Sequence, residues 1–279
     1  MPGTKPEALQ EKGSETVPGT KPEALQEKGS ESVPGTKPEA LQEKGFKSVP
    51  GTKHKPLGAN GFDLVPGTHH LRRFLFMKYS ILSKITDSKI VGVIRGQNPE
   101  EAVQLSKGAI EGGIKTIELT YTTPQVDNVF RQLRNEDVLI GAGSVLDPET
   151  ALNAIQSGAR FIVSPHFNKD VATLCNRHGI PYMPGCMTIR EMVEASEAGC
   201  DVLKLFPANQ FDPSFIRSVN GPLPHVRLMP TGGINLENMG DWLEAGAVAL
   251  GIGSDLNKAY KQSGYEAVVT LSQQYANKC

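Results

Sequence analysis

Two charged residues stand inside otherwise apolar, strand-like runs of this chain, and their types define the chemistry to consider. Lys204 lies in Asp201-Val202-Leu203-Lys204-Leu205-Phe206-Pro207-Ala208, and Glu118 lies in Thr116-Ile117-Glu118-Leu119-Thr120. Burying either charge among apolar neighbours is costly unless it is paired or neutralised. A lysine that loses its proton near neutral pH becomes a nucleophile able to form a Schiff base with a carbonyl compound. A carboxyl group beside such an amine can act as a general acid and base. The plainer alternatives are a lysine that buries its stem and lifts its head into water, and a glutamate in a structural ion pair. Of the eight strand-like runs identified below, only these two carry a charge in mid-run, which favours the chemical reading.

Two glycine-bearing turns follow late strand-like runs: Pro230-Thr231-Gly232-Gly233-Ile234 and Gly251-Ile252-Gly253-Ser254. Glycine lets backbone N–H groups approach a phosphate, and a helix starting after the second turn would add its positive end. Tight turns alone also need glycine, but two such turns at these positions suggest a phosphate-bearing substrate. Other strand ends offer Arg95, Thr120 and Thr122, Ser144, Ser164-Pro165-His166 and Cys186. Arg95 can clamp a carboxylate or phosphate, or simply form a surface ion pair. Ser144 can bond a substrate carboxylate. His166 reads as a structural loop residue, and Cys186 as a packing residue, since no base partner can be assigned to it.

The elements that must position these groups alternate regularly from Lys89 onward. Strand-like runs occur at 90–94, 116–120, 138–142, 161–164, 181–183, 202–206, 227–230 and 247–251. Between them lie amphipathic segments that open on Asn98-Pro99, Asp147-Pro148 and Asp212-Pro213, which are N-cap and first-turn signals. Several close on glycine, at Gly112-Gly113, Gly158, Gly179, Gly199 and Gly246. Eight such units predict a (β/α)8 barrel with its active site at the C-terminal ends of the strands. A doubly wound open sheet is the alternative. It usually carries a glycine-rich dinucleotide turn after its first strand, and Arg95-Gly96-Gln97 is not one.

The formal net charge of −1 over 279 residues gives no electrostatic case for nucleic acid or an anionic membrane. No apolar run is long enough to span a bilayer. The four cysteines form no CxxC pair, so neither a metal site nor a disulfide framework is expected; a cytoplasmic protein fits. Val-Pro-Gly-Thr begins at Val17, Val33, Val49 and Val65, sixteen residues apart. These tandem repeats lack the apolar face that a solenoid needs. Residues 1–76 are therefore expected to be disordered; they read either as a flexible interaction tail or, since Met77 stands just before the domain and the repeats keep one motif while losing their flanks, as a segment that is not a working part of the protein, with the barrel at 77–279.

Ile117-Glu118-Leu119-Thr120, Gly141-Ala142-Gly143-Ser144-Val145, Ile162-Val163-Ser164-Pro165, Met183-Pro184-Gly185, Lys204-Leu205-Phe206-Pro207-Ala208 and Pro230-Thr231-Gly232-Gly233-Ile234 occur in that order. In these motifs the chain from about Met77 resembles the KHG/KDPG class I aldolase family. The resemblance implies Lys204 as the Schiff-base lysine and Glu118 as the general acid/base. It implies Ser144 (threonine in most members) at the pyruvyl carboxylate, and Pro165 among the substrate contacts. Thr231 falls near the aldehyde half, and Gly232, Gly233, Gly253 and Ser254 in the phosphate pocket. Some members carry an arginine where Thr122 stands, and Arg95 is similar to the residue that takes over that charge in others. The implied substrate is 2-keto-3-deoxy-6-phosphogluconate, with its galactonate epimer and 4-hydroxy-2-oxoglutarate as sibling substrates. The implied assembly is a homotrimer, and no metal or other cofactor is implied.

Overall fold

Period-two alternation splits the apolar residues of each strand into two sets, and the computed structural model places them on opposite sides of a closed parallel sheet. It describes residues 69–279, with side chains from Met77 onward. The tandem repeats up to residue 68 lie outside the described residues. The strands are β1 (Ile90–Ile94), β2 (Thr116–Thr120), β3 (Leu139–Gly143), β4 (Ile162–Val163), β5 in two pieces (Tyr182–Met183 and Gly185–Cys186), β6 (Leu203–Leu205), β7 (Leu228–Pro230) and β8 (Leu250–Ile252). Each ladder is parallel and joins neighbours in the sequence. β8 returns to β1 through Ile90↔Leu250, and β7 meets β8 at a parallel bridge, Thr231↔Gly251. β5 is interrupted at Pro184, which has no N–H to give to a ladder. Its carbonyl still accepts from the Lys204 amide at 2.8 Å. The ring is a (β/α)8 barrel.

Helices α2 (Pro99–Glu111), α3 (Val126–Gln132), α4 (Pro148–Ser157), α5 (Lys169–His178), α6 (Ile189–Glu197), α7 (Ser214–Asn220) and α8 (Met239–Glu244) follow β1 to β7. The pair α9 (Ser254–Ser263) and α10 (Tyr265–Asn277) follows β8. Their starts are chemical. Asn98 Oδ1 accepts from the Glu101 amide at 2.8 Å, and Asp147 Oδ1 from the Thr150 amide at 2.7 Å. These bonds satisfy donors that a first helical turn leaves without intrahelical partners.

One strand-facing set, including Ile117, Leu119, Ala142, Ile162, Leu203, Leu205 and Leu250, packs with the helices in a single outer core. The alternate set, Val91, Phe161, Val163, Met183, Val202, Met229 and Ala249, fills the lower barrel interior. Ile81, Leu82 and Ile85 join that inner cluster from α1 (His69–Ser88). This helix therefore plugs the N-terminal end of the barrel, tied there by Lys78 Nζ to Asp201 Oδ2 at 2.7 Å. It begins at His69 and runs through the expected boundary at Met77. The eighth strand starts later than the sequence pattern predicts. The Ala247 amide bonds to Trp242 O at 3.0 Å and closes α8, and the ladder begins only at Leu250.

Candidate active site

Lys204 sits at the middle of β6, where its register partners are Gly185 and Met229. Val202 is the inward residue before it and Phe206 the one after, so its side chain enters the barrel one layer above the apolar floor. Glu118 occupies the equivalent layer of β2, paired with Val93 and Gly141. The two are 5% and 1% exposed, and Lys204 Nζ lies 3.5 Å from Glu118 Oε1. The same nitrogen lies 5.0 Å from the centroid of the Phe206 ring, within range of an attractive cation–π contact. Glu118 Oε2 is buried and finds no hydrogen-bond partner among the described residues. Room for this carboxyl comes from Gly143 on the neighbouring strand. A Cβ at that position would stand 1.9 Å from Glu118 Oε1.

A cavity of about 970 Å³ is lined by Phe206, two residues beyond Lys204, and by Val93, the register partner of Glu118, though the pair itself is not on its wall. Its wall includes Arg95, Thr122, Thr231, Gly232, Gly233, Gly253 and Ser254. Gly232 and Gly233 both have positive φ, 96° and 80°, which only glycine adopts readily. The turn they form brings backbone close to the cavity. Gly253 leads directly into the first turn of the ten-residue α9, whose free N–H groups favour an anion. The wall carries three cationic side chains, Arg95, Lys258 and Lys261, and no acidic one. None of the three forms a salt bridge among the described residues. Thr231 Oγ1, also on the wall, is buried without a partner among the described residues.

Seven of the nine substrate-binding residues expected from the sequence thus surround one cavity. Ser144 and Pro165 do not line it. Ser144 follows Gly143, in the left-handed region with φ 58°. The Pro165 carbonyl abuts Gly185, the register partner of Lys204. Ser144 is thus adjacent in sequence to the glycine under Glu118, and Pro165 adjacent in space to the register partner of Lys204, and neither is on the cavity wall. Burial pushes the Cys186 thiol up to about 12, consistent with its reading as a packing residue. Sequence reasoning missed Phe206 as a neighbour of the lysine and missed both wall lysines. It also missed Thr123, whose hydroxyl accepts from the Gly96 amide at 3.0 Å and fastens the loop after β1 to the loop after β2. The spacing of Ser254, Lys258 and Lys261 was a readable signal, because residues three and four apart share a helix face.

Comparison with known proteins supplies independent findings. A family model described as KDPG and KHG aldolase matches residues 81–271. The 2-dehydro-3-deoxy-phosphogluconate aldolase of Treponema pallidum (strain Nichols) is 35% identical over 200 residues, 70% of this chain and 95% of that protein. The 2-dehydro-3-deoxy-6-phosphogalactonate aldolase of Escherichia coli (strain K12) is 32% identical over 178 residues, 62% of this chain and 87% of that protein. Among solved structures, the KDPG aldolase of Legionella pneumophila with pyruvate captured as a covalent carbinolamine intermediate aligns with a TM-score of 0.62. It is 28% identical and covers 70% of this chain and 96% of its own.

Proposed function

The chain belongs to the KDPG and KHG aldolase family of carbon–carbon lyases, and on that premise we propose that it cleaves 2-keto-3-deoxy-6-phosphogluconate to pyruvate and glyceraldehyde 3-phosphate through a Schiff base. The observation that carries this reading is the buried contact of Lys204 Nζ with Glu118 Oε1 at 3.5 Å, next to a cavity with a cationic wall. The neutral Lys204 amine adds to the C2 ketone. Glu118 shuttles the protons as the carbinolamine loses water to the protonated imine. Glu118 then takes the proton of the C4 hydroxyl, directly or through a water. The C3–C4 bond breaks, its electron pair passes to the iminium, and the aldehyde leaves. The resulting enamine is protonated at C3, and water hydrolyses the imine to release pyruvate and restore the amine. The iminium polarises the substrate as a metal ion does in other aldolases.

Arg95 and Ser144 take the carboxylate end in this reading. Pro165 borders the pyruvyl group beside Lys204. Thr122 and Thr231 contact the sugar hydroxyls, and Gly232, Gly233, Gly253 and Ser254 take the phosphate. The phosphogalactonate epimer and 4-hydroxy-2-oxoglutarate are the sibling substrates to compare. The working form is proposed to be a cytoplasmic homotrimer. Leu146 and Met187 on the loops after β3 and β5, and Ile189 at the start of α6, exposed at 53%, 41% and 44%, are the apolar groups a second copy would cover. A monomer in sedimentation would refute that part. No described helix is long and apolar enough to cross a membrane.

Mass spectrometry after pyruvate and borohydride tests the central assignment. The adduct is expected on the peptide containing Lys204, and Lys204→Ala should lose both the adduct and turnover. A Lys204→Ala protein that still traps pyruvate at normal yield would sink it. Relative kcat/KM on the three acids decides the substrate, and a preference for 4-hydroxy-2-oxoglutarate would overturn the phosphorylated assignment.

A further inference from the structure

Resting on the aldolase reading, we propose that Lys258 and Lys261 of α9 set the preference of this enzyme for a phosphorylated substrate. Ser254, Asn257, Lys258 and Lys261 all line the cavity. Their spacing of three and four residues puts them on one stripe of the helix. At about 1.5 Å per residue, that stripe rises roughly 10 Å from Ser254 to Lys261. Its lower end is the turn where backbone N–H groups of Gly232, Gly233 and the α9 start can hold an anion. Lys258 stands one helical turn above that end, on a flexible four-carbon stem that can bring its ammonium back to the same anion. Lys261 stands one turn further along the same wall.

Both lysines are exposed and form no salt bridge among the described residues, and the cavity wall has no carboxylate to compete for them. Backbone N–H groups donate to anions most strongly but also to hydroxyls and water, so they discriminate less sharply than a full positive charge does. Free ammonium groups respond to charge and reach, so a phosphoryl dianion at the far end of a six-carbon acid gains more from them than a single carboxylate held close to the reacting carbons. At the end remote from the keto group, 2-keto-3-deoxy-6-phosphogluconate carries that dianion on C6, whereas 4-hydroxy-2-oxoglutarate carries a carboxylate bonded directly to C4, too short to reach the same helix stripe from the same keto position. The third wall cation, Arg95, follows β1, the strand paired with β8, and its carbonyl accepts from Asn257 Nδ2 of α9 at 2.6 Å.

The test compares Lys258→Gln, Lys261→Gln and the double variant with the wild type on both acids. The readout is the ratio of kcat/KM for the phosphorylated acid to that for the unphosphorylated one. Each single change should lower the ratio about tenfold and the double change on the order of a hundredfold, through KM of the phosphorylated acid. Lys258→Arg with Lys261→Arg should restore most of the ratio, because charge carries the effect. Inorganic phosphate should inhibit the double Gln variant correspondingly less than the wild type. A double Gln variant that melts like the wild type and keeps the ratio within twofold overturns the proposal. A wild type that cleaves no phosphorylated acid overturns the proposed function itself, and the role of the lysines with it.

Discussion

Gly143→Ala is the smallest change that should pull Lys204 and Glu118, the proposed catalytic pair, apart. A Cβ built on Gly143 would stand 1.9 Å from Glu118 Oε1 and 2.5 Å from both Cδ and Cγ. The backbone cannot easily retreat, because β2 and β3 are joined at five consecutive register positions from Thr116↔Leu139 to Thr120↔Gly143. Alanine meets no conformational objection, since Gly143 is not among the glycines with positive φ. The Glu118 side chain must therefore yield. To regain an ordinary contact of 3.4 Å, Oε1 has to move by about 1.5 Å. A misplacement of about 1 Å costs on the order of a hundredfold in rate, and proton transfer by a positioned side chain is worth about 10²–10⁴. We expect kcat to fall by about 10²–10³, equivalent to roughly 3–4 kcal/mol of barrier. Overpacking should also remove about 1–3 kcal/mol of stability. Pyruvate release, followed with a coupled dehydrogenase, gives kcat, and borohydride trapping shows whether the Lys204 amine still reacts. A variant with kcat within threefold of wild type would refute the argument that Gly143 exists to seat the carboxyl.

Ile85→Ala removes a fully buried side chain where α1 meets the barrel floor. It should cost about 2–5 kcal/mol in urea unfolding, and a loss well below 1 kcal/mol would mean that α1 does not plug the barrel. Asp147→Ala should cost about 0.5–2 kcal/mol at neutral pH by removing the α4 cap. The amide bond from Thr150 holds the Asp147 carboxyl below its usual range. The cap is therefore fully effective above about pH 4 and fades as pH falls through the lowered value. The stability gap between wild type and variant should close in acid, and a gap independent of pH would contradict this. Burial pushes the thiols of Cys175, Cys186 and Cys200 up to about 12, whereas Cys279 is exposed. A thiol reagent at pH 8 should titrate one cysteine in the native protein and four after unfolding; two or more fast native thiols would be inconsistent.

The buried pairing of Lys204 and Glu118 was legible because each charge interrupts an apolar strand, a pattern that survives without any tertiary information. The helix starts at Asn98 and Asp147 were legible for a similar reason, since a cap is a local bond between residues three apart. What the pattern could not show was which residues stand across from one another. The need for glycine at Gly143 comes from a side chain twenty-five positions earlier on the adjacent strand. Phe206 meets the ammonium only because β6 alternates inward at 202, 204 and 206. Nor could the run at 181–183 show that Pro184 interrupts the ladder for one residue before Gly185 and Cys186 resume it. The late start of β8 has the same character, because Ala247 bonds back to α8 before the chain enters the sheet.

The energetics of the middle barrel layer argue for chemistry over support. Deleting one partner of a buried ion pair costs about 3–5 kcal/mol, but replacing both with apolar residues is often neutral or stabilising. The layer beneath shows that this chain can fill its barrel that way, with Phe161, Met183, Val202 and Met229. One layer up, it places a lysine and a glutamate and removes the side chain of position 143 to make room. Glu118 Oε2 and Thr231 Oγ1 are then left without partners among the described residues, at about 1–3 kcal/mol for each such group. A purely structural layer would have selected against all of these features. Their cost makes sense if the missing partners arrive with a substrate: a hydroxyl proton for the carboxylate, a polar oxygen for the threonine, and a carbonyl carbon for the amine between them.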